Sequence, residues 1–134
     1  MNKLLLTGTI IAALTTSCVA QPRAPWIVNH NGSIMQVLEN NGNIDIIYTQ
    51  PRPGMWGYVT PGTALVHGAW VDGIIQGTAY YFSKSCGAIP YSVSGGIDPR
   101  GILTLVGPTP RLDHACRPVG MDWGVNSRLV FYPR

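Results

Sequence analysis

Chemistry in this chain of 134 residues would have to come from few groups: three histidines, six carboxylates, scattered serines and three cysteines. His30, His67 and His114 are far apart and form no ligand pair at zinc spacing. His114 stands two residues before Cys116, but that cysteine is better explained as half of a disulfide. Ser83, Ser85, Ser92 and Ser94 lie on or beside strand-like runs, and none sits in the Gly-x-Ser-x-Gly turn that exposes a nucleophilic hydroxyl. Asp98, Asp113 and Asp122 read as turn residues rather than as the two opposed carboxyls of a glycosidase, since Asp98 precedes Pro99 and Asp122 lies in a Met-Asp-Trp-Gly loop. The expectation is therefore a non-enzymatic chain with no cofactor and no metal site.

The cysteines speak to compartment. Met1-Asn2-Lys3 and the apolar run to Leu14 have the charge and length of a secretory signal, too short to span a bilayer as a permanent helix. Small residues at Cys18 and Ala20 suit a cut before Gln21, so residues 1–20 are expected to be removed. Alternatively Leu14-Thr15-Thr16-Ser17-Cys18 is a degenerate lipoprotein box that makes Cys18 a lipidated N-terminus and a membrane anchor. Either route takes Cys18 out of the folded body and leaves Cys86 and Cys116 to form one disulfide in an oxidising compartment, the periplasm. The part from residue 21 to residue 134 is one domain's worth of chain. Its eight basic and six acidic side chains are too evenly balanced for a nucleic-acid partner.

Binding groups are easier to find than catalytic ones. Seven arginines against one lysine follow residue 20, a balance that favours planar, bidentate contacts. Arg52, Trp56 and Tyr58 share a loop, and Trp123 stands in another, the company of aromatic and Arg side chains that recognition surfaces favour. The run Tyr80-Tyr81-Phe82 leads into Ser83-Lys84-Ser85-Cys86, which places a cation between two hydroxyls on a turn closed by the disulfide. With Tyr80 and Phe82 in the core, Tyr81 would face outward or toward a second layer.

The elements that must hold these groups are short strands. Ser33–Glu39 and Ile44–Gln50 flank an Asn-Gly turn, and Thr63–Val71 and Ile74–Phe82 flank Asp72-Gly73, both strong hairpin signals. Gly68 and Gly77 inside the second hairpin predict bulges or sharp coiling. Trp26–Val28, Ile89–Ser94, Ile102–Val106 and Arg128–Tyr132 supply further strands. Residues 95–101 read as a turn, residues 51–58 as a structured loop, and Gly107–Asn126 as a long irregular segment tethered by Cys116. About eight strands with tight turns predict an all-β fold, a small antiparallel barrel or a sandwich.

Two stretches carry a resemblance to a known family. Ser94-Gly95 matches the first two positions of a Ser-Gly-x-x-Tyr motif. Tyr81 and Gly87 match the ends of a Tyr-x-x-x-Thr-Lys-Gly motif, with Ser85 in place of Thr and Cys86 in place of Lys. With the export signal and the late cysteine pair, the layout resembles the small periplasmic or lipid-anchored inhibitors of C-type lysozyme. That resemblance implies an eight-stranded barrel whose turn residues, here Tyr81, Ser94 and Gly95, reach into a hydrolase cleft; Lys84 is added to them on its own chemistry. The expected function is inhibition of a lysozyme-like peptidoglycan hydrolase. A glycan- or ligand-binding envelope module using Arg52, Trp56, Tyr58 and Trp123 is the alternative, and a purely structural envelope protein the third.

Overall fold

The computed structural model describes residues 25–134, so the expected signal and Cys18 lie outside the described residues. Ten strands follow one another: β1 (Trp26–His30), β2 (Ser33–Asn40), β3 (Asn43–Gln50), β4 (Ala64–Val71), β5 (Ile74–Ser83), β6 (Gly87–Ile97), β7 (Leu103–Val106), β8 (Thr109–Leu112), β9 (Pro118–Asp122) and β10 (Arg128–Pro133). Eight of them close an antiparallel barrel in the order β1-β10-β7-β6-β5-β4-β3-β2. Six of the eight neighbour pairs join strands next in sequence, so the barrel is an up-and-down meander. The exceptions are the step from β7 to β10, interrupted by the β8–β9 hairpin, and the closing pair of β10 with β1.

Turn chemistry sets the register. Asn41-Gly42 and Asp72-Gly73 hold positive φ at both central positions (50° and 81°, 50° and 82°), the two-residue turn whose twist matches the strands it joins. Closure has a different local cause. Gly68 and Gly77 face each other across β4 and β5 with no register shift, so the alternative of bulges there gives way to coiling. A Cβ on Gly77 would lie 2.6 Å from the Gly68 Cα, and this absent side chain is what lets the two backbones bend together.

Alternation then fills the inside. Val28, Met35, Val37, Ile44, Ile46, Val66, Ile75, Leu103, Leu105 and Phe131 are completely buried and form one core. A packed apolar interior reverses the pattern of a barrel whose apolar residues face lipid and whose lumen is polar.

Three expectations are corrected here. β6 runs through Gly95 and Gly96 to Ile97, so Ser94 and Gly95 are mid-strand and not a turn: Ser94 pairs with Gln76 and Val106, and Gly95 with Ile75 and Leu105. The segment 107–126 is not irregular, for β8 and β9 pair within it, and as a separate two-stranded sheet they tolerate Pro110 and Pro118. The aromatic run departs in part: Phe82 packs against the core as expected, but Tyr81 does so too and Tyr80 does not. Ala79 and Tyr81 follow Ile75 to the inside, and Tyr80 faces out, edge-on to the exposed His67 at 6.1 Å. Tyr81 meets Tyr91 across the interior with ring centroids 6.2 Å apart.

Candidate functional site

The two ends of the barrel are built differently. At one end the connections are Asn41-Gly42, Asp72-Gly73 and the turn 98–102, and the chain enters there at Trp26. At the other end lie Asn31-Gly32, the loop 51–63, the turn 84–86 and the β8–β9 hairpin, and this loop end carries nearly all the residues singled out from the sequence.

The turn after β5 is fixed from three directions. The Ser83 hydroxyl accepts the Cys86 backbone N–H at 3.2 Å and closes the turn locally. The Cys86–Cys116 disulfide ties it to the β8–β9 hairpin, with 5.5 Å between the two Cα atoms. The turn that presents Cys116 is itself organised by Asp113, whose Oδ1 accepts the N–H groups of Ala115 (2.9 Å) and Arg117 (3.0 Å). Those bonds, with the Arg117 guanidinium, hold the Asp113 carboxyl below its ordinary range. Two interior tyrosines brace the same excursion: Tyr81 Oη donates to the Pro110 carbonyl at 2.8 Å and Tyr91 Oη to the Asn126 carbonyl at 2.5 Å. Tyr81 is therefore a post under the site and not an exposed contact.

Above this framework Lys84 and Ser85 are exposed, and Lys84 shares a groove with the loop 51–58. Trp56, Tyr58, Thr63, Ser83 and Lys84 line one open groove of about 530 Å³. Trp56 is 69% exposed, anchored by its indole N–H to the Pro51 carbonyl at 3.2 Å. Tyr58 packs against the core instead and plugs the barrel. On the other side of Trp56 a second groove includes Arg52. Arg52, Trp56 and Lys84 thus share the loop end, with Trp56 common to both grooves. Trp123, also exposed, lies apart against Gln76, Ser92, Ser94 and Val106 on the outer wall; Ser94 belongs there, and a Cβ on Gly95 would fall 1.8 Å from the Thr104 carbonyl oxygen. The structure does not bring Ser94, Gly95 or Trp123 to the Lys84 tip.

Charge follows the same division. Among the described residues, the half with the tight turns holds Glu39, Asp45, Asp72 and Asp98 against Arg100 and Arg134, a side-chain balance of −2. The loop end holds Arg52, Lys84, Arg111, Arg117 and Arg128 against Asp113 and Asp122, a balance of +3. Both acids there are already engaged, Asp113 with Arg117 at 3.0 Å and Asp122 with Arg111 at 3.2 Å. Arg52 and Lys84 form no ion pair among the described residues. The surface around Trp56 is thus a cationic rim with no counter-ion among the described residues, suited to carboxylates.

Sequence reasoning missed the polar mouth directly beneath. His30 donates from Nδ1 to the Val130 carbonyl at 2.9 Å, receives the Asn31 amide on Nε2 at 3.3 Å and stacks on Phe131. Burial lowers its pKa, the bond to Val130 opposes that, and the Arg52 charge lowers it further, so the ring is held neutral. Ser33, also buried, accepts the Arg52 backbone N–H at 2.9 Å. Burial pushes the Tyr48 and Tyr91 phenols up to about 12. Extending the alternation Val28/His30 and Ser33/Met35/Val37 would have placed His30 and Ser33 inside. Comparison of the chain with family models, with curated proteins and with solved structures finds no match.

Proposed function

We propose that this chain is an exported, non-enzymatic binding protein that inhibits a peptidoglycan hydrolase of the lysozyme type, with Lys84 on the disulfide-held turn as the inserted group. The observation that carries the reading is Lys84 itself: exposed, without a counter-ion among the described residues, and mounted on a turn fixed by Ser83 and by the Cys86–Cys116 bridge. Hydrolases of this type work with two carboxyl groups in a groove, and an ammonium on a rigid turn can engage and block them at little entropic cost. Trp56 beside it supplies the aromatic anchor and Arg52 a second cation. A +3 loop end favours a hydrolase with an acidic cleft rim over a strongly basic one, which only short-range fit could hold.

The test is a turbidity assay of cell-wall lysis with purified mature protein, paired with gel filtration. Wild type slows lysis and co-elutes with the hydrolase; Lys84→Ala weakens inhibition about ten- to hundredfold, the loss of one charge-assisted contact. Unchanged lysis at excess protein, without a complex, sinks the reading. The groove between Trp56 and Lys84 favours a second reading, an acidic glycan fragment stacked on the indole. A tryptophan-fluorescence titration with muropeptides checks it, and a flat response in wild type rejects it.

A further inference from the structure

The barrel interior changes character at its loop end, where the apolar core gives way to His30, Ser33, Tyr48, Tyr81 and Tyr91 around a cavity of about 120 Å³. That is room for about four water molecules, at roughly 30 Å³ each, or for a small organic acid. Most polar atoms of the lining are spoken for: His30 by Val130 and Asn31, Ser33 by Arg52 N–H, Tyr81 by Pro110 and Tyr91 by Asn126. Two are not. The Tyr48 side chain is 3% exposed, yet its hydroxyl has no hydrogen-bond partner among the described residues. Arg52 also lines the cavity, and its guanidinium makes neither a hydrogen bond nor an ion pair with them. No Asp or Glu among the described residues lines the space.

A phenol hydroxyl and a cation thus border a cavity that, among the described residues, offers them no carboxylate. We propose that the barrel mouth is a carboxylate-binding site, in which the Arg52 guanidinium and the Tyr48 hydroxyl hold a small monocarboxylate. A planar carboxylate matches the guanidinium fork and accepts the phenol on a free lone pair. One cation balances one negative charge, so a phosphate dianion would be left half neutralised in a partly desolvated site. The neutral His30 adds no second charge, and its ring is already committed at both nitrogens.

The carboxylate could belong to a free acid or to a side chain or C-terminus of a bound protein, and both present the same chemistry. The site is tested on the mature protein alone, so its result is independent of whether a hydrolase is the partner. Acetate is titrated against the Arg52 Nε–H and tyrosine-ring NMR signals, with inorganic phosphate at equal ionic strength as the comparison. Saturable shifts with acetate in the millimolar range are expected, with none for phosphate. Arg52→Gln should weaken acetate about ten- to hundredfold. Tyr48→Phe should weaken it severalfold, and because that hydroxyl has no protein partner this variant keeps the wild-type unfolding midpoint. Absence of a saturable acetate response, an equal response to phosphate, or an unchanged response in both variants overturns the proposal. Where acetate binds, competition between acetate and complex formation assigns the carboxylate to a protein partner; a complex indifferent to acetate assigns it to a free acid.

Discussion

Removing the Cys86–Cys116 bridge should cost stability without dismantling the barrel. The bridged residues are 30 apart in sequence, and the loop-closure relation gives an unfolded-state entropy of about 12 cal/mol/K, or about 3.6 kcal/mol at 25 °C. In the native state the excursion remains held by the Tyr81–Pro110 and Tyr91–Asn126 bonds, each worth about 1 kcal/mol, and by its own Asp113 turn. The loss therefore falls mainly on the unfolded ensemble. Urea unfolding followed by tryptophan fluorescence should show Cys86→Ser, Cys116→Ser and the double variant destabilised alike. With an m-value of about 1.5 kcal/mol/M, the midpoint drops by roughly 2 M. Reduction of the wild type should reproduce the shift. A double variant within about 0.5 kcal/mol of the oxidised wild type would refute the chain-entropy argument. A change of equilibrium stability confined to one of the single variants would refute the idea that both act through one bridge.

The mid-strand position of Gly95 makes Gly95→Ala strongly destabilising, by about 2 kcal/mol or more, since the new methyl must displace the Thr104 carbonyl of a paired strand; thermal unfolding checks it, and a neutral result would contradict the register of β6 against β7. Stability should also fall at both extremes of pH. His30 has its pKa lowered in the fold, so its contribution is complete above the ordinary 6.5 and is lost as pH falls through that value; His30→Asn should flatten this acid limb of the pH profile. Tyr48 and Tyr91 have theirs raised to about 12, so their contribution is complete below 10 and is lost as pH rises from there to 12, readable as late phenolate absorbance coincident with unfolding.

What was legible in the sequence was what depends on neighbours along the chain. Asn41-Gly42 and Asp72-Gly73 fix their hairpins by local φ preference, and the disulfide followed from setting Cys18 apart. The misplaced elements were decided across the barrel. Gly95-Gly96 before Asp98-Pro99 has the composition of a turn, but the pair lies in a strand because β7 passes too close for any side chain at Gly95. Three consecutive aromatics carry no phase of their own; Ala79 and Ile75 set it, by occupying the tight interior beside Gly68 and Gly77. Pro110 and Pro118 disguised β8 and β9, because a two-stranded sheet leaves edges where a missing N–H costs nothing. Lys84, Arg52 and Trp56 were legible singly. Their meeting at one end follows only from the direction in which β3, β4 and β5 run.

That meeting also bears on whether the fold is merely structural. A barrel with no task beyond its own stability would extend the packed layer of Val, Ile and Leu to both ends, since buried polar groups add stability only when fully bonded. The tight-turn end comes closer to that, with the buried Oε2 of Glu39 as an exception. The loop end instead buries His30, Ser33, Tyr48 and Tyr91, and their bonds go where recognition needs support: Tyr91 and Tyr81 to the backbone of the β8–β9 excursion, Ser33 to the backbone of Arg52, His30 to β10. Ser33, Tyr81 and Tyr91 fix segments at the loop end, His30 secures β10, and the Tyr48 hydroxyl is left facing the cavity. Departures from the packing rule concentrated at one end, beneath the exposed cations and the exposed indole, are what a binding surface requires of its scaffold.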